Sequence, residues 1–147
     1  MQFLLAAGLI AVVAAIALVL QRKRRVDPPT QTNHEVPAQL DRKDFESMAT
    51  EWLVVTFTSA TCHTCADVKR KAAVLACRDV GVVDVDYTTD ADLHRRYKID
   101  AVPLLVIADR DGVVRASFLG PVTATDLWAA CAEVRHPGSS PEPELGR

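Results

Sequence analysis

Apolar residues recur along this chain in three rhythms, and each rhythm predicts a different kind of element. From Phe3 to Leu20 they run without a single charge. As a helix rising 1.5 Å per residue, that run of 18 covers about 27 Å, close to the hydrocarbon thickness of a bilayer, and predicts a membrane span. Shorter runs rich in β-branched residues predict strands: Leu53 to Phe57, Val80 to Tyr87, Leu104 to Ile107 and Val113 to Leu119. The near-continuous apolar character of Leu53 to Phe57 implies burial on both faces, as at the centre of a sheet.

Helical spacing fills the gaps. Leu40, Phe45, Met48 and Ala49 predict one face of a short helix with Asp41 as N-cap. From His63 to Cys77 the positions Val68, Ala72, Leu75 and Ala76 form an inward stripe, with Lys69, Arg70 and Lys71 outward. Asp90 to Tyr97 predicts a short polar helix with Leu93 and Tyr97 inward and His94 exposed. Leu127 to Val134 predicts the last helix, capped from Thr123 to Asp126. Cys77 and Cys131 are expected as small buried fillers, the usual place of unpaired cysteines. The strand–helix–strand order from Leu53 to Tyr87 predicts a right-handed parallel crossover, and Asp111-Gly112 a hairpin turn.

Two stretches lack either rhythm. Val26 to Gln39, with Pro28, Pro29 and Pro37, predicts an extended tether in which His34 is a solvated linker residue. The tail from His136, with three prolines, buries too little apolar surface to order itself. The expected organisation is an anchor over 1–21, a basic, proline-rich tether over 22–39, one domain over 40–135 and an unordered tail over 136–147. No internal repeat is present.

Charge changes the picture at one place. The 147 residues carry 17 basic and 19 acidic side chains, a net charge of -2, without the clustered basic face of a nucleic-acid binder. The basic cluster Arg22-Lys23-Arg24-Arg25 follows the apolar run, whereas a cleaved signal peptide places its basic residues before it and a small-residue cleavage site after it. An uncleaved anchor in the cell membrane is expected, a single-pass span with the soluble domain on the cytoplasmic face, because basic residues stay on that side. Ala7, Ala11 and Ala15 repeat at helix-pairing spacing, but such spacing arises easily in an alanine-rich span, and a monomer is expected.

The candidate chemistry sits where the first long strand meets the helix, at Cys62-His63-Thr64-Cys65. Free backbone N–H groups and a positive macrodipole at a helix start favour a thiolate, which makes Cys62 the candidate nucleophile. Cys65, three residues on, shares its face and can resolve a mixed disulfide. Half of a zinc site is the competing reading. Zinc needs four ligands, yet Cys77 and Cys131 are solitary and His34, His63, His94 and His136 are scattered, so no metal is expected. His63, when protonated, is a candidate for further stabilising the Cys62 thiolate; a solvent-facing side chain of small effect is the alternative.

Strand, CxxC, helix, strand, helix, Val102-Pro103 with a strand, hairpin, Gly120 and a last helix together resemble the thioredoxin family, over about Leu40 to Arg135. The resemblance implies an α/β thioredoxin-like fold, a central mixed sheet flanked by helices, here behind a single N-terminal transmembrane helix. It implies a cis Pro103 against the CxxC, with the backbone of Val102 pairing with the substrate chain. It also implies thiol–disulfide exchange with protein disulfide substrates, no cofactor, and renewal by a separate dithiol reductase. Two positions depart from the family pattern: Thr56 stands where a buried aspartate is usual, and Thr61 where an aromatic precedes the first cysteine. The lysine of the next strand is missing too, its place being near Val82. These departures put fast general turnover in doubt and keep open a redox-slow or inactive binding module for a membrane partner. An outward-facing oxidase or reductase would require the opposite membrane orientation.

Overall fold

The computed structural model describes residues 34–45, 49–142 and 144–146. The expected membrane span and most of the tether lie outside these residues; among those described, no helix is long and apolar enough to cross a membrane.

Four strands form one sheet in the order β2-β1-β3-β4, with β1 Trp52–Thr58, β2 Val80–Asp86, β3 Leu104–Ala108 and β4 Val114–Leu119. β1 runs parallel to β2 and antiparallel to β3, and β3 pairs antiparallel with β4, so the sheet is mixed as expected. Among the described residues three α-helices flank it: α1 Cys65–Ala73, α2 Ala91–Arg96 and α3 Ala124–Arg135. Where a helix over Leu40 to Ala49 is expected, the described residues form only a 3-10 helix, Arg42–Phe45, with Ala49 outside it and Met48 outside the described residues; the amide of Lys43 donates to Oδ1 of Asp41 at 3.0 Å.

The near-continuous apolar run of β1, broken by the buried Thr56, is explained by two cores. Val54 joins Leu105, Ile107, Val68, Ala72, Leu127 and Ala130 under α1 and α3. Leu53, Val55 and Phe57 join Leu40, Phe45, Val85 and Val106 on the other face. Successive side chains on a strand point to opposite faces, so a central strand is apolar on both faces except where a buried polar side chain finds a hydrogen-bond partner.

Glycine is required at two turns. Gly112 has φ +81°, and a Cβ there would lie 2.0 Å from the Leu40 carbonyl oxygen, which fixes the hairpin against the chain entering the fold. Gly120, at φ +90°, donates its N–H to the Pro103 carbonyl at 2.8 Å and so ties the end of β4 to the start of β3.

Several expectations are corrected. α1 begins at Cys65 and ends at Ala73, shorter at both ends than the periodicity predicts. Cys77 is therefore not on the helix but in a turn, joined to Val80 by two backbone hydrogen bonds and exposed. Cys131, by contrast, is buried on α3 as expected, and that burial pushes its thiol pKa up. His94 is buried, not exposed: Nε2 lies 2.9 Å from the Val85 carbonyl, which accepts its proton, and the rings of Phe57 and Tyr87 meet it edge-on. His34, expected as a solvated linker residue, places Nδ1 3.1 Å from Oδ1 of Asp100.

The tail departs from expectation as well. Glu133 of α3, 4% exposed, accepts the amides of Gly138 and Ser140, and Ser117 of β4 donates to the Gly146 carbonyl at 2.5 Å. Poor in apolar residues, the tail is held by charge-assisted hydrogen bonds to Glu133 and a neutral backbone bond from Ser117 instead, a source of order that hydropathy does not report.

Candidate functional site

Three connections converge at one end of the sheet. β1 ends at Thr58 and feeds the turn that carries the cysteines. The register Phe57↔Leu104 sets the start of β3, and with it Val102-Pro103, beside that end. The amide of Tyr87, just after β2, donates to the Thr58 carbonyl at 2.9 Å. The Val102–Pro103 peptide bond is cis.

Cys62 and Cys65 form a disulfide, with Sγ atoms 2.09 Å and Cα atoms 5.4 Å apart. Two turns deliver them, closed by Cys62 N–H to the Ser59 carbonyl at 3.0 Å and Cys65 N–H to the Cys62 carbonyl at 3.3 Å. Thr64, the N-cap residue, makes no side-chain cap. Sγ of Cys62 takes that place, accepting the Cys65 amide at 3.1 Å, with Oγ1 of Thr64 at 3.5 Å. This explains the late start of α1: Cys62 precedes the helix and points its sulfur at the first helical amide.

The two sulfurs differ in access. Cys62 is partly exposed, while Cys65 is 2% exposed. An incoming disulfide can therefore meet Cys62, and Cys65 can act only on a sulfur already bound there. His63 is exposed. Among the described residues no group of three or more His, Cys, Asp or Glu could hold a metal ion.

Sequence reasoning missed one residue. Thr56, which stands where a buried aspartate is expected from the resemblance, is 1% exposed, and a carboxylate reaches it from the neighbouring strand. Asp84 of β2 lies opposite Thr56 in register, and its Oδ1 accepts hydrogen bonds from Thr56 and Thr58, each at 2.9 Å. Its Oδ2 meets Nζ of Lys69 on α1 at 2.6 Å. Lys69 stands four residues after Cys65, one helical turn along the same side. The available signal was the period-two pattern Val82, Asp84, Asp86, but only the pairing register shows which threonines Asp84 faces.

Comparison with known proteins gives the same frame. Residues 36–133 match the family model described as thioredoxin. No curated protein matches the chain in sequence. Among solved structures, a thioredoxin of Malassezia sympodialis (Mala s 13) is similar at a TM-score of 0.51 and 18% identity, covering 70% of this chain and 97% of that one. Thioredoxin f2 of Chlamydomonas reinhardtii is similar at 0.51 and 21% identity, covering 69% and 97%. At such identities the likeness concerns the fold.

Proposed function

The chain belongs to the thioredoxin family and is a thiol–disulfide oxidoreductase; from that premise we propose that it reduces or exchanges disulfides of protein substrates while tethered by residues 3–20 to the cell membrane, its domain on the cytoplasmic face. One observation carries the chemistry: a partly exposed Cys62 sulfur at the first amide of α1, with Cys65 buried behind it.

The Cys62 thiolate attacks one sulfur of the substrate disulfide, forming a mixed disulfide and expelling the other substrate sulfur as a thiolate. The Cys65 thiolate then attacks Cys62 Sγ, releasing the second substrate sulfur and leaving Cys62–Cys65 oxidised. The substrate gains two electrons and two protons, and an external dithiol restores the pair. The Cys65 amide and the start of α1 favour the Cys62 thiolate both as nucleophile and as leaving group. The backbone at Val102-Pro103, beside the motif, is the platform for the substrate chain.

Charge placement supports the orientation, since Arg22-Lys23-Arg24-Arg25 follows the apolar run. A cytoplasmic dithiol is kept reduced and acts as a reductant. No cofactor is needed, and the protein acts as a monomer. The departures at Thr56 and Thr61 favour a second reading, a redox-slow module that binds a membrane partner.

Equilibrating the full-length chain with glutathione and following the Cys62/Cys65 pair by mass decides between these. A potential near about -270 mV is expected of a reductant; about -120 to -180 mV indicates an oxidant or isomerase and counts against the orientation. Failure to form the disulfide leaves the binding module. A C-terminal alkaline phosphatase fusion is expected to be inactive on the cytoplasmic side.

A further inference from the structure

Beside Val102 a cavity of about 220 Å³ opens between Ser59, Tyr87, His94, Ile99 and Asp100. It is smaller than the 300–1,000 Å³ typical of small-molecule sites and has room for a single side chain. We propose that it is a subsite selecting substrate peptides with an arginine or lysine next to the disulfide cysteine, Asp100 pairing with the cation and Tyr87 lying along its stem. The inference rests on the exchange reading above and adds the substrate class.

Position comes first. Ser59 accepts the Cys62 amide through its carbonyl, and Val102 precedes the cis proline, so the cavity is bounded by the motif's own turn and by the substrate platform. A side chain adjacent to the cysteine under attack is the one that reaches it.

The lining sets the chemistry. Ile99 and Val102 give apolar walls, and the Tyr87 ring, 53% exposed, is steadied by the edge-on His94 ring 5.3 Å away. His94 itself is turned to the Val85 carbonyl through Nε2. An exposed aromatic face attracts a cation, more often a guanidinium.

The charge at the mouth is Asp100, whose side chain is 58% exposed. Lys98, two residues earlier, is directed to Glu35 at 3.8 Å. Asp100 already holds one nitrogen donor, the His34 ring at 3.1 Å, which arrives from outside the loop as a substrate cation would. A long apolar stem ending in a cation matches these walls and this rim.

The test uses the full-length reduced chain and three disulfide-linked peptides that differ only in Arg, Ala or Glu at the residues flanking the cysteine. We expect kcat/KM for the Arg peptide to exceed that for the Glu peptide by roughly five- to tenfold at low salt, shrinking as salt screens the exposed pair. In Asp100→Lys the order should invert. Equal rates for Arg and Glu peptides, or an Arg preference that survives Asp100→Lys, overturn the subsite while leaving the exchange reading intact. Should Asp100→Lys not fold, a wild-type preference insensitive to salt overturns it. No reduction of the Ala peptide removes the exchange reading itself, and the subsite with it.

Discussion

The backbone N–H of Cys65 donates to Sγ of Cys62 across 3.1 Å. The first residue of α1 thus shares its amide between the Cys62 carbonyl, at 3.3 Å, and the sulfur that meets the substrate, so the two cysteines are linked by a polar contact as well as by their chemistry. Burial separates their duties. Replacing Cys65 by Ser leaves the amide and the attack in place but removes resolution, so a mixed disulfide between Cys62 and substrate should accumulate. Mass spectrometry of the non-reduced product reads this directly; Cys62→Ser should give no adduct.

His63 is exposed beside the same sulfur. An exposed cation near a helix start contributes less than about 1 kcal/mol. His63→Ala is therefore expected to raise the Cys62 pKa slightly and to lower the reduction potential by roughly 10–20 mV. Thiolate absorbance against pH, with the glutathione equilibrium, measures both; no movement in either removes His63 from the mechanism.

Asp84 ties β1, β2 and α1 together through Thr56, Thr58 and Lys69. Asp84→Ala leaves the nearly buried Thr58 hydroxyl without this acceptor and Lys69 without its partner, and should cost roughly 1–3 kcal/mol. Asp84→Asn keeps an acceptor oxygen and should cost less. Urea midpoints rank the two, and an equal loss would show that hydroxyl pairing is not what matters there.

Tyr97 supplies a pH dependence. Burial first, and then its hydrogen bond to Asp44, push its hydroxyl pKa up to about 12, while the Asp41 amide donates to the same oxygen at 3.0 Å. Unfolded tyrosine titrates near about 10. Above that value the unfolded chain gives up the proton while the folded one keeps it. The stability from Tyr97 is thus complete below about pH 10 and is lost as pH rises through about 12. Tyr97→Phe should flatten that part of the alkaline decline in urea midpoints, relative to the parent chain.

Much was legible in the sequence because it is written locally. A central strand needs apolar residues on both faces, a helix needs a stripe, and a hairpin needs Asp111-Gly112. Those rules located β1, β2, β3, β4 and the two longer helices without any distant contact. The cysteine pair, at a strand-to-helix junction, belongs to the same class of information.

What only the tertiary structure decided depends on partners far along the chain. Thr56 and Asp84 are 28 residues apart and meet only because β1 and β2 pair in one register. His94 looks like a surface residue by periodicity, yet a carbonyl on β2 and two aromatic rings draw it inside. Cys77 is expected inside because unpaired cysteines usually are, and is exposed because α1 stops at Ala73. His34 meets Asp100 across 66 residues, and Glu133 holds a tail with little apolar surface. Hydropathy records where a side chain gains by leaving water, whereas hydrogen bonds and ion pairs depend on register and loop closure, which no short window of sequence contains.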